Sequence, residues 1–154
     1  MTDPANKKAI LLAEDNPDDV LLIRLALEKA GFDNPLRVVR DGEEALLYLQ
    51  GEGAYADRGQ FPVPQLFLLD LAMPRMSGLE VLSWLQPRAE WMYLPVVVLS
   101  GFIDEAAIRR AYDLGAAAFL IKPGEFAELV TTMKHVTDFW LHGHSPEADH
   151  RLAA

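Results

Sequence analysis

Residues 66–70, Leu-Phe-Leu-Leu-Asp, decide how this chain folds. Successive side chains of a strand point to opposite faces of its sheet, so four apolar residues in a row leave no wet face. Such a run fits a strand of a parallel sheet covered on both sides by helices. Asp70 follows at once, and an acid at the mouth of a fully apolar strand is costly to bury unless it is paired.

Working outward, four more apolar runs of strand length appear: Ala9 to Ala13, Leu36 to Val39, Val96 to Leu99 and Ala117 to Ile121. Each precedes a helical pattern, and alternating β and α units imply a doubly wound sheet. The helix signals agree. Asn16 as N-cap, Pro17 at the first helical position and Asp18 and Asp19 in the first turn open the first helix. Its stripe is Val20, Ile23, Leu27 and Ala30, and Gly31 ends it. Asp41 with Glu44, and Ser77 with Glu80, have capping-box spacing and start the second and third helices. Asp104 caps the fourth, which ends before Gly115. The fifth carries a predicted stripe of Phe126, Val130, Met133, Thr137 and Trp140.

Two segments stand outside this order. Gly51 to Gln65 is rich in Gly and Pro and reads as an extended loop, either a recognition element or a passive insertion. From His142 onward the chain is polar and without periodicity, so disorder is expected; the histidines at 142, 144 and 150 have no scaffold that would make them metal ligands.

Composition narrows the function. The net charge of −9, with 14 Lys and Arg against 23 Asp and Glu, argues against a nucleic-acid surface. No apolar stretch is long enough for a membrane helix, and acids interrupt the N-terminal segment where a secretory signal would be uncharged, so a cytoplasmic location is expected. The absence of cysteine excludes thiolate chemistry and disulfides.

In open α/β sheets, ligands bind beyond the carboxyl ends of the strands. There the runs are followed by Glu14 and Asp15, by Asp70, by Ser100 and by Lys122. Three carboxylates at one edge need a proton or a cation, and hard oxygen donors with no His or Cys point to Mg²⁺ or a similar ion such as Mn²⁺. Asp70 is then placed to attack phosphorus, Lys122 to neutralise a phosphoryl oxygen and Ser100 to donate a hydrogen bond to another. Taken singly, each residue also has a plain structural reading as a helix cap, turn residue or surface charge. The inference rests on their joint placement.

These residues resemble the receiver domain of two-component response regulators. The resemblance lies in ILLAEDNPDD (10–19), LLDLAMPRMSGLEVL (68–82), VVVLSG (96–101) and AAAFLIKP (116–123), and it implies a receiver domain over 8–142 with a disordered tail over 143–154. The fold it implies is flavodoxin-like, a five-stranded parallel sheet of order 2-1-3-4-5. It implies Asp70 as phosphoacceptor and Glu14, Asp15, Asp70 and the backbone carbonyl of Ala72 as metal ligands. Ser100, Phe119 and Lys122 would transmit phosphorylation, Ser100 drawing inward and Phe119 turning into the vacated space. It further implies a cis peptide before Pro123.

Within the family, the opening EDNPDDVLLIRLAL (14–27), the long loop before the third strand and the aromatic end DFWL (138–141) resemble single-domain regulators paired with phytochrome-type histidine kinases. The partners so implied are a sensor histidine kinase and a second copy, meeting through the fourth helix, fifth strand and fifth helix. Phe139 and Trp140 either anchor that contact or, in the case of Trp140, complete the core. Two rival classes remain. A phosphohydrolase of the haloacid dehalogenase kind also uses an aspartate and Mg²⁺ but wants a second acid two residues on, where this chain has Ala72. A pseudo-receiver would dock partners without phosphorylation, against which the intact set of Glu14, Asp15, Asp70, Ser100 and Lys122 argues.

Overall fold

A computed structural model describes residues 8–141. Five parallel strands alternate with five helices: β1 (Ile10–Ala13), α1 (Pro17–Lys29), β2 (Leu36–Val39), α2 (Gly42–Gln50), β3 (Leu66–Leu69), α3 (Gly78–Leu85), β4 (Val96–Ser100), α4 (Glu105–Asp113), β5 (Ala118–Ile121) and α5 (Phe126–Leu141). The sheet order is β2-β1-β3-β4-β5. All neighbours run parallel, with Ala13 level with both Val39 and Leu69, and Ser100 level with Ile121. The strand ends that carry chemistry therefore reach one edge together.

The continuous apolar runs are explained by two cores, one on each face. Leu11, Ala13, Phe67, Leu69, Val96 and Val98 point to α2, α3 and α4. Their alternates Ile10, Leu12, Leu66, Leu68, Val97 and Leu99 point to α1 and α5. Every residue of β1, β3 and β4 is buried, and each large side chain so removed from water contributes about 1.5–3 kcal/mol.

The predicted caps form. The Asn16 side chain accepts from the N–H groups of Asp18 and Asp19, Asp41 accepts from Glu44, and Asp104 accepts from Ala106 and Ala107. Ser77 Oγ accepts from the Glu80 N–H. The stripe of α5 differs from expectation: Leu129, Met133, Val136, Thr137 and Leu141 are buried, whereas Phe126 is exposed. The helix packs on α1 as well as on the sheet, sharing a core with Ile23, Ala26 and Leu27, and this turns its covered arc. Trp140 packs against that core with Phe139 edge-on to it, ring centroids 4.6 Å apart.

The segment from Gly51 to Gln65 is a loop, as expected, and it is packed against α2. It contains a 3-10 turn over Gly53–Tyr55. The rings of Tyr48, Tyr55 and Phe61 meet with centroids 5.0 to 6.1 Å apart. Arg58 binds the C-terminal end of α2, its guanidinium donating to the carbonyls of Tyr48 at 2.9 Å and Leu49 at 2.7 Å, and also to that of Phe61. At the sheet edges, Arg37 of β2 donates to Gln60 O at 3.0 Å, and the Phe119 N–H of β5 donates to the hydroxyl of Tyr112 on α4 at 3.1 Å.

Because Arg58 satisfies three carbonyls with one charged group, Arg58→Ala is expected to lower stability by about 2 kcal/mol. Urea unfolding checks this, with the midpoint moving down and the slope unchanged.

Candidate functional site

Glu14 and Asp15 continue directly from β1, Asp70 from β3 and Lys122 from β5, while Ser100 is the last residue of β4. The parallel register brings carboxylate oxygens of Glu14, Asp15 and Asp70 within 4.8 Å of one another. Glu14 and Asp70 are buried, at 1% and 7% exposure, and Asp15 is exposed. The Lys122 ammonium lies among them. It bonds to Glu14 Oε1, lies 3.0 Å from Asp19 Oδ2 and is 3.7 Å from Asp70 Oδ2.

Burial pushes the Glu14 carboxyl up to about 7, helped by the neighbouring Asp70 and opposed by the Lys122 bond. Burial acts to lower Lys122, but its bonds to Glu14 and Asp19 and the charge of Asp70 outweigh this and raise it. Lys122 therefore stays an ammonium, while Glu14 is the strained member. An ensemble of crowded, hard oxygen donors with a destabilised carboxylate suits a small divalent cation, which would relieve the same repulsion.

The loop that leaves Asp70 is held at several points. The Ala72 N–H donates to Asp70 Oδ1 at 3.3 Å. Arg75 has φ of 66°, and the Met76 N–H donates to Pro74 O at 2.7 Å, a γ-turn of the rarer, positive-φ hand. Two glycines press on this loop. A Cβ at Gly78 would come 2.5 Å from the Asp70 carbonyl oxygen, and one at Gly42 would come 2.2 Å from that of Met76. Gly42 also donates its N–H to Met76 O at 3.1 Å, so the N-terminus of α2 braces the loop.

Ser100 and Phe119 are held by other contacts. Ser100 Oγ donates to the Phe102 carbonyl and accepts from the Phe102 N–H, both at 3.2 Å. Phe119 is half-buried against the core on the α2–α4 face. The expected cis peptide before Pro123 is absent, as no cis bond occurs among the described residues. Trans is the intrinsically preferred form of an X-Pro bond, by about 0.5–1 kcal/mol, and Lys122 reaches its partners with it in place. The histidines at 142, 144 and 150 and the tail over 143–154 lie outside the described residues.

Sequence reading missed Asp19 as a site residue, having taken it only as a first-turn acid. The signal was its place in the first turn of α1, the helix that leaves the edge where Glu14 and Asp15 stand.

With this geometry established, comparison with known proteins assigns the family. The model of the response regulator receiver domain matches residues 10–134. The chain belongs to the receiver family. It is a receiver domain of a response regulator in two-component signalling. This receiver is 37% identical over 132 residues to a probable methanogenesis regulatory protein, FilR2, of Methanothrix harundinacea, covering 86% of this chain and 83% of that one. It is 34% identical over 142 residues to response regulator Rcp1 of Synechocystis, covering 92% and 95%. The Mn²⁺-bound structure of Rcp1 superposes with a TM-score of 0.79 at 33% identity, over 90% of this chain and 97% of that one. The phosphorylated cyanobacterial phytochrome response regulator RcpA superposes with a TM-score of 0.82 at 38% identity, over 91% and 99%. No helix of the receiver is long and apolar enough to cross a membrane among the described residues.

The raised Glu14 sets a pH dependence. Folded Glu14 holds its proton more tightly than unfolded Glu14, so its contribution is full below about 4.5 and is lost as pH rises through about 7. In protein stripped of divalent cations, Glu14→Gln is expected to raise Tm at about pH 8 and to change it much less at about pH 5. Paired thermal melts at the two pH values check this.

Proposed function

We propose that Asp70 accepts a phosphoryl group from a sensor histidine kinase and that the chain signals the change through protein contacts. The observation that carries this reading is the convergence of Glu14, Asp15 and Asp70 around one edge with the Lys122 ammonium 3.7 Å from Asp70. Glu14, Asp15 and Asp70, with the backbone carbonyl of Ala72, would hold Mg²⁺ or Mn²⁺. When bound, the cation supplies positive charge against the phosphoryl oxygens.

The chain's own residues do the rest. Asp70 Oδ forms a bond to phosphorus as the P–N bond of the donor phosphohistidine breaks, and the imidazole nitrogen keeps the electron pair. The product is an acyl phosphate. Lys122 neutralises a phosphoryl oxygen. Ser100 exchanges its bond to the Phe102 carbonyl for one to the phosphoryl group, and Phe119 turns toward the space this leaves. The residue two after Asp70 is Ala72, which is no acid for a hydrolase cycle, and supports a switch over an enzyme that turns substrate over.

RcpA, described as a phosphorylated phytochrome response regulator, supports a phytochrome-type kinase as the donor, and the Mn²⁺-bound Rcp1 supports the cation. Ile121, Phe126 and Tyr112 are exposed on β5, α5 and α4, which supports that face as the one met by a second copy.

A small phosphodonor with Mg²⁺ is expected to give a base-labile, acid-stable phosphoprotein. Asp70→Asn is expected to abolish the label, and EDTA to suppress it in the unchanged chain. Intact-mass measurement checks both; equal labelling of Asp70→Asn would remove Asp70 from its role.

A further inference from the structure

The first turn of α1 brings to this edge a side chain that phosphotransfer, as described, does not use. Asp19 Oδ2 is 3.0 Å from Lys122 Nζ, nearer than Asp70 Oδ2 at 3.7 Å. The position of Asp19 is built in: its N–H donates to the Asn16 cap, and Pro17 fixes the start of the helix. An ammonium has three N–H donors; two are hydrogen-bonded here, to Glu14 and Asp19, while Asp70 Oδ2 at 3.7 Å is an ion-pair partner beyond hydrogen-bond distance.

These two bonds hold the ammonium back from Asp70, and a shift toward a phosphoryl oxygen there lengthens one of them. The Glu14 bond is the less exchangeable, because that side chain is 1% exposed and water does not readily take the place of the ammonium there. The Asp19 side chain is 35% exposed, so water can replace the ammonium there at small cost. The Asp19 bond is the one that yields.

We propose that Asp19 is a positioning residue that draws the Lys122 ammonium toward α1 in the unphosphorylated chain, competes with the phosphoryl group for it, and so restrains phosphorylation of Asp70. This rests on the reading of Asp70 as acceptor. In the phosphorylated chain one Lys122 donor passes from Asp19 to a phosphoryl oxygen, and Asp19 turns to solvent. The polar tie between the first turn of α1 and the residue that follows β5 is then broken.

The test uses the full chain with Mg²⁺ and acetyl phosphate. The Asp70 Oδ–P bond forms, the P–O bond to acetate breaks, and acetate leaves with the electron pair. Asp19→Asn is expected to raise the rate of labelling about threefold to fivefold, and to leave the first-order loss of the label after donor removal unchanged, since Lys122 is already on the phosphoryl group in that step. Asp19→Glu keeps the charge and should stay near the unchanged chain.

Asp18→Asn is the control for charge alone. Asp18 is the neighbouring acid and has no ion pair with Lys122 among the described residues. Acceleration by Asp18→Asn equal to that by Asp19→Asn would overturn the proposal, as would an Asp19→Asn rate equal to that of the unchanged chain. An unchanged chain that takes no label on Asp70 overturns instead the acceptor reading on which the proposal stands.

Discussion

Glu14 and Asp70 can lie buried side by side only because the Lys122 ammonium lies against both. Removing the ammonium would leave uncompensated carboxylates in a poorly solvated place, at a cost of about 3–5 kcal/mol. The demand fixes much else. Three strands must end level, β5 must lie at the sheet edge next to β4 so that its last residues reach back, and α1 must start immediately after Asp15. The fold is in this sense a frame for holding a repulsive arrangement together.

Such repulsion gives the site its sensitivity. The raised Glu14 carboxyl and the shared ammonium concentrate charge where, on the proposed reading, a phosphoryl group would arrive. A rigid neutral pocket would gain little from one phosphoryl group. On the proposed reading, the arrival of that group would reassign several contacts at once: those of Lys122, of Ser100 and, through β5, of Phe119. The braces supplied by Gly42 and Gly78 keep that reassignment from being absorbed by the loop after Asp70.

The sheet was legible because β1, β3 and β4 are buried on both faces, which leaves runs such as Leu66–Leu69 without a polar interruption. The caps were legible because Asn16, Asp41, Ser77 and Asp104 act within a few residues of themselves. The convergence of Glu14, Asp15, Asp70 and Lys122 followed from one rule about strand ends. What escaped depended on contacts distant in sequence. The face of α5 was set by α1, and the order in the Gly51 to Gln65 segment came from Arg58 meeting carbonyls of α2. Asp19 meets Lys122 across 103 residues, and local pattern shows only that it begins a helix. The trans bond before Pro123 departs from the family pattern, which local sequence could not have signalled.

The bond from the Phe119 N–H to the Tyr112 hydroxyl has a meaning for the chain in crowded solution. An edge strand offers unpaired backbone donors and acceptors, a ready template on which another chain can extend the sheet. A phenol from α4 occupies one such donor on β5, and at the opposite edge Arg37 secures a loop carbonyl beside β2. One backbone donor of the β5 rim is thus engaged from within and is withheld from pairing with a strand of another chain.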